Sequence, residues 1–131
     1  MVFLQPTSPI RSPRHIEEAL ETLENEGADS LFSAGPLVGL AWKVERDAVI
    51  PVSYDPQNRG RRQDATDYIA ENGSIYVFKP WVLRELSCRL GGKIVAFRMD
   101  ALDSFEVDEP NDAPLVDFLL RHRYPDLVKE G

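Results

Sequence analysis

The 131-residue chain has a single cysteine, Cys88, so it forms no intramolecular disulfide and no cysteine-based zinc site, a pattern that suits a reducing compartment. Positive charge is also scarce. Fifteen Lys and Arg stand against 22 Asp and Glu, and the formal net charge of −7 argues against nucleic-acid binding, which needs a basic footprint over one face. No apolar run approaches membrane-spanning length, and the start MVFLQPTSP has neither the basic region nor the apolar core of a secretory signal. The expectation is a cytoplasmic protein. Internal repeats and low-complexity runs are absent too. So are the G-x-x-x-x-G-K-[ST] phosphate loop, a G-x-G-x-x-G turn after a strand, and a G-x-S-x-G nucleophile elbow.

The composition that remains is that of an ordinary globular domain, with 43% apolar and 28% charged residues. At this length one domain, residues 1–131, with one core is expected. Val2 to Leu4 read as the end of a buried strand. Ser12 caps a helix with Pro13 at its first position, Ile16, Ala19, Leu20 and Leu23 share its apolar face, and Gly27 stops it. SLFSA (30–34) is a second buried strand, and alternation from Gly39 to Pro51 around Arg46-Asp47 predicts a hairpin. ENG (71–73) predicts a turn leading into the strand SIYVF.

Pro80 opens a helix carrying Val82, Leu83, Leu86 and Leu90, with Cys88 packed inside and Gly91-Gly92 as its end. Lys93 to Met99 is a strand, a shorter one is expected near Phe105 to Val107, and Asn111 caps a final helix with Leu115, Val116, Leu119 and Leu120 as its stripe. His15 and His122 are expected on solvent-facing helix surfaces. The order of elements is that of an α/β fold, in which ligands bind at loops following strands.

Three such loops stand out. In QPTSPIR, prolines fix the backbone at positions 6 and 9 while Gln5, Thr7, Ser8 and Arg11 surround them with donors, either to hold a hydroxylated ligand or to cap nearby amides. In NRGRRQ, the arginines Arg59, Arg61 and Arg62 beside Gln63 form either an anion clamp or a solvated loop. In EVD, a strand would put Glu106 and Asp108 on one face roughly 6.5 Å apart, as a magnesium-binding pair or as a solvated strand end.

In this order and spacing these stretches resemble the acylneuraminate cytidylyltransferases, the CMP-sialic acid synthetase family. LQPTSPIR is similar to the family's LQPTSPLR, GRRQD and ENGSIYV to its R-x-x-R-Q-D and N-G-A-I-Y signatures, and DSFEVDEPND to its S-x-D-I-D-t-x-x-D segment. The resemblance implies a three-layer α/β/α, Rossmann-like nucleotide-diphospho-sugar-transferase sheet, present in part, with residues 39–78 as a β-hairpin dimerisation excursion. It implies transfer of a cytidylyl group from CTP to a nonulosonic (sialic-type) sugar acid in a homodimer, with release of pyrophosphate. Gln5, with Thr7 and Ser8 beside it, would contact the sugar acid, and Asn72 and Tyr76 would line its pocket. Arg62, Arg59 and Gln63 would reach the neighbouring subunit's site, and Glu106 and Asp108 would hold Mg²⁺, Arg62 and Asp108 counting as catalytic. Glu106 stands where the family has Asp, so weaker metal affinity is expected. The resemblance starts at the family's middle, after its Gly-rich CTP loop. The chain alone is therefore expected to bind CTP poorly, and a non-catalytic dimerising remnant or one part of a split enzyme is the alternative.

Overall fold

Among the described residues, six strands and three helices follow one another as β1 (Val2–Leu4), α1 (Pro13–Asn25), β2 (Ser30–Pro36), β3 (Trp42–Glu45), β4 (Ala48–Pro51), β5 (Ile69–Phe78), α2 (Pro80–Leu86), β6 (Ile94–Arg98) and α3 (Ala113–Arg123). A computed structural model describes residues 1–58 and 68–128. Four strands form one mixed sheet in the order β1-β5-β2-β6, with β5 antiparallel to both neighbours and β6 parallel to β2. The fold is thus mixed α/β. Strands β3 and β4 pair separately as the expected hairpin, turning at Arg46, whose φ of 52° suits the left-handed position of a tight turn.

Alternation along the strands sorts the core onto both faces of the sheet. Leu31, Ile75, Val77 and Phe97 point to α1 and meet Ala19, with Ile16 and Leu23 packed alongside. Tyr76 and Phe78 point the other way, to Val82 of α2, with Phe32, Trp81 and Leu90 around them. Each fully buried aliphatic side chain here stabilises the fold by roughly 2 kcal/mol relative to exposure. A third cluster joins Ile10 to Val116 and Leu119 of α3, and Val107 and Tyr124 close it. Helix α3 therefore packs on the QPTSPIR loop and on the 105–108 segment at once.

Several expectations are corrected. ENG is not a reversal between strands, because β5 runs through it and pairs with β2 on both sides. Phe32 pairs with Tyr76 and Ala34 with Glu71, so two steps along β2 are matched by five along β5, and the excess bulges out at Gly73, whose φ is 68°. No strand forms at 105–107. A short 3-10 turn (Leu102–Ser104) is followed by irregular chain, because Val107 N–H donates to Thr7 C=O (2.7 Å) while the amides of Asp108 and Glu109 donate to Asp112 Oδ2.

Helix α2 stops at Leu86, since Ser87 adopts a left-handed conformation (φ 50°), and Cys88 is consequently exposed rather than packed. Asn111 sits in a 3-10 turn (Pro110–Asp112), and Asp112 takes the cap position of α3. Val2 and Phe3 are exposed because β1 is the edge strand with one neighbour, β5. His15 is packed between Phe97 and Tyr124, so only His122 faces solvent, stacked on Phe118. Among the described residues no helix is long and apolar enough to cross a membrane.

Candidate active site

The QPTSPIR loop is held from inside. Arg11 Nη1 donates to the carbonyls of Gln5 (3.0 Å), Ser8 (2.5 Å) and Ser74 (3.3 Å), tying the loop to the β5 bulge. Burial pulls the Arg11 pKa below its ordinary value. Its Nη1 is thus occupied by backbone, and Gln5 and the exposed Thr7 are what the loop offers beside it. Thr7 is exposed, while Ser8 is buried.

The bulge supplies the second part. Asn72 is 5% exposed and its carboxamide is fully engaged: Oδ1 accepts from Ser33 Oγ (2.6 Å) and Ser74 N–H (3.2 Å), and Nδ2 donates to Ser104 Oγ (2.9 Å) and Met99 Sδ (3.6 Å). The Ser33 hydroxyl also accepts from Ile75 N–H (2.7 Å), so Ser33 replaces the ladder bonds that the bulge interrupts. Serines buried inside the otherwise apolar SLFSA were the signal that a polar partner lay opposite, and sequence reasoning passed over it.

Three of the motif stretches meet over Gly73. The Ser8 hydroxyl lies 2.9 Å from Glu106 Oε1 and 3.0 Å from the Asn72 carbonyl, and its one proton is shared between these acceptors. A methyl group on Gly73 would run into Gln5 Oε1, Glu106 Oε1 (2.7 Å) and Ser8 Oγ (3.1 Å), so the three side chains crowd into the space that glycine leaves. The 3-10 turn before Glu106 comes equally close to β2, where a methyl on Gly35 would strike Ser104.

Beside this cluster lies a cleft of about 290 Å³, lined in part by Gly35, Pro36, Glu71, Asn72, Ser104 and Glu106. Its size sits at the low end of sites for small ligands. Tyr76 is buried against the α2 side of the sheet and its hydroxyl donates to Glu71 Oε1. Burial, and next the Glu71 carboxylate, push the Tyr76 pKa up to about 12, so it stays a neutral donor at ordinary pH. Asp108 is exposed at the other end of the EVD segment. Arg59, Arg61, Arg62 and Gln63 lie outside the described residues.

The segment bearing Glu106 is anchored by residues that the motifs did not point to. Asp103, 2% exposed, accepts from Arg123 Nε (2.7 Å) and Nη2 (3.3 Å) and from the Tyr124 hydroxyl (2.8 Å). His15 Nδ1 accepts from Ser12 N–H, which leaves Nε2 to carry the ring proton, 3.8 Å from Asp103. Hydrogen bonding to Asp103 holds the Arg123 pKa above its ordinary value, and burial, then Asp103, push Tyr124 up to about 12.

For metal binding, among the described residues no three His, Cys, Asp or Glu side chains gather into a site. Two carboxylates nevertheless suit magnesium where substrate phosphates and waters complete the shell, and Glu106, at the cleft, and Asp108, exposed two residues on, are hard oxygen donors, although without a strand there the backbone does not put them on one face.

No family model matches the chain. Individual relatives do. It is 34% identical over 118 residues to N-acylneuraminate cytidylyltransferase A of Danio rerio and 34% identical over 119 residues to the N-acylneuraminate cytidylyltransferase of Oncorhynchus mykiss. Each match covers 87% of this chain and 27% of the relative. Post-translational flagellin modification protein B of Campylobacter coli is 28% identical over 125 residues, 94% of this chain and 53% of that protein. The chain thus spans about a quarter of the length of the two fish relatives. Over 87% of its own length it is a homologue of the N-acylneuraminate cytidylyltransferases.

Proposed function

We propose that the chain carries the sugar-acid and metal side of a cytidylyltransferase site that activates a nonulosonic, sialic-type sugar acid with CTP. The observation that carries this reading is the meeting of Gln5, Ser8 and Glu106, from two separate motif stretches, over Gly73 of a third. In the reaction, the anomeric hydroxyl oxygen bonds to the α-phosphorus of CTP, the bond from that phosphorus to the α–β bridging oxygen breaks, and pyrophosphate leaves as the hydroxyl gives up its proton.

The chain's residues divide that work. The Gln5 carboxamide orients the sugar acid at the loop, with Thr7 beside it, and Ser8 keeps Glu106 turned toward the same place. Asn72 sets the shape of the bulge, and Tyr76 fixes Glu71 at the cleft wall. Glu106 and Asp108 would hold Mg²⁺, which when bound neutralises the triphosphate and eases loss of the hydroxyl proton. Arg62, with Arg59 and Gln63, would bring positive charge to the sugar carboxylate or the phosphate of a neighbouring copy's site.

The same reading includes the three-layer nucleotidyltransferase fold and a homodimer built on the excursion expected over 39–78, of which the β3–β4 hairpin stands outside the main sheet while β5 is one of its inner strands. Apolar exposure in the hairpin supports an interface, for Trp42, Val44 and Val49 are all open to solvent outside the main sheet. It also favours the alternative of a dimerising, non-catalytic chain or one part of a split enzyme.

A pyrophosphate-release assay separates the two. Fused behind the preceding section of the Danio rerio relative, the chain is expected to release pyrophosphate from CTP and Mg²⁺ only when N-acetylneuraminic acid or another nonulosonic acid is added. A folded, dimeric fusion that stays inert with every such acid would leave the non-catalytic reading standing.

A further inference from the structure

The face of the sheet that carries Tyr76 also carries a cation with no role in the motifs. Arg89 follows α2, and its guanidinium carbon lies 4.3 Å from the centroid of the Tyr76 ring and 4.9 Å from that of Phe3. The two rings are 6.0 Å apart and tilted by 56°, so the group sits in a notch between them. Arg89 is half-buried, yet among the described residues none accepts a hydrogen bond from it or forms an ion pair with it. Glu71, the acid next to Tyr76, already receives the Tyr76 hydroxyl.

We propose that Arg89 is a specificity-determining residue that receives the carboxylate of the sugar acid on its in-plane N–H edge. This deepens the cytidylyltransferase reading and rests on it. Aromatic faces hold a guanidinium by cation–π attraction without using its fork of donors, so the group is ordered in advance and its hydrogen-bonding edge remains for a ligand. That fork matches a carboxylate, with two parallel charge-assisted bonds.

The position fits the ligand as well. Phe3 pairs with Tyr76, and Gln5 follows the end of β1 at Leu4, its Oε1 meeting Glu106 Oε1 over Gly73, three residues before Tyr76 on β5. A sugar acid lying against Gln5 and the Glu71 wall of the cleft therefore reaches Arg89 along the exposed Phe3 ring, which leaves Arg62 for the phosphate.

Calorimetric titration of the chain with N-acetylneuraminic acid and with its methyl ester tests this. The wild-type chain is expected to bind the acid at least about tenfold more tightly than the ester, the usual worth of a charge-assisted pair. Arg89→Ala is expected to bring the acid down to the ester's affinity while leaving the ester unchanged. Arg89→Lys keeps the charge but not the fork and should fall between. The proposal is overturned if Arg89→Ala binds the acid as the wild type does, if it weakens acid and ester alike, or if the wild type does not distinguish them. Acid binding that survives Arg89→Ala leaves the wider reading intact, whereas no binding of any sugar acid by the wild type removes both.

Discussion

Replacing Gly73 by alanine is expected to reduce sugar-acid affinity more than tenfold while lowering stability by only about 1–2 kcal/mol, the usual penalty of a left-handed backbone for a residue with Cβ. The two effects have separate causes. At φ 68° the strain falls on the backbone, whereas the new methyl meets the tips of Gln5, Glu106 and Ser8. Those tips belong to side chains that can swing aside, so the fold survives, but swinging aside removes the groups that define the site. Gly73→Asn separates the terms, because asparagine tolerates the left-handed region yet still fills the space. It should recover stability relative to Gly73→Ala without recovering binding. A Gly73→Ala protein that binds N-acetylneuraminic acid normally would mean that the convergence over Gly73 has no part in recognition.

Asp103→Ala is expected to be the most destabilising single change at the site, at roughly 3 kcal/mol, the lower end for breaking a buried ion pair because Arg123 is 25% exposed. Removing the carboxylate strands the Arg123 guanidinium and the Tyr124 hydroxyl, both of which point at a position 2% exposed. For a chain of this length that is a drop in melting temperature of roughly 10 °C, measurable by thermal unfolding. Asp103→Asn keeps the volume and one acceptor and should lose less. The change also loosens the 3-10 turn that hands Ser104 to Asn72 and Glu106 to Ser8, so residual binding should weaken even where the protein remains folded. A melting temperature within a degree or two of the wild type would show that the Asp103 cluster does not hold α3 to the loop.

Helices, strands and the hairpin were legible where local chemistry decides them. Ser12-Pro13 and Gly27 bracket α1, and alternation in LAWKV and AVIPV sets the hairpin. What stayed hidden was decided by partners distant in sequence. Nothing local to ENG says that both its flanks pair with β2, so a glycine suited to a turn was equally suited to a bulge. EVD has the alternation of a strand, but Val107 finds its acceptor on Thr7, a hundred residues earlier.

The site divides in the same way. Gln5, Ser8 and Glu106 could be singled out because the motifs carry them. Asp103, Arg123 and Arg89 could not, since a buried Asp103, its Arg123 partner and the Phe3–Tyr76 notch exist only after the chain has closed on itself.

The central claim, that the QPTSPIR loop, the β5 bulge and the Glu106 segment form one sugar-acid surface, is tested most directly by titrating the ¹⁵N-labelled chain with N-acetylneuraminic acid and following its amide resonances. Saturable shifts are expected, centred on Gln5, Ser8, Gly73 and Glu106 and absent from the hairpin of β3 and β4. No saturable shift at those amides, or shifts confined to the hairpin, would contradict it.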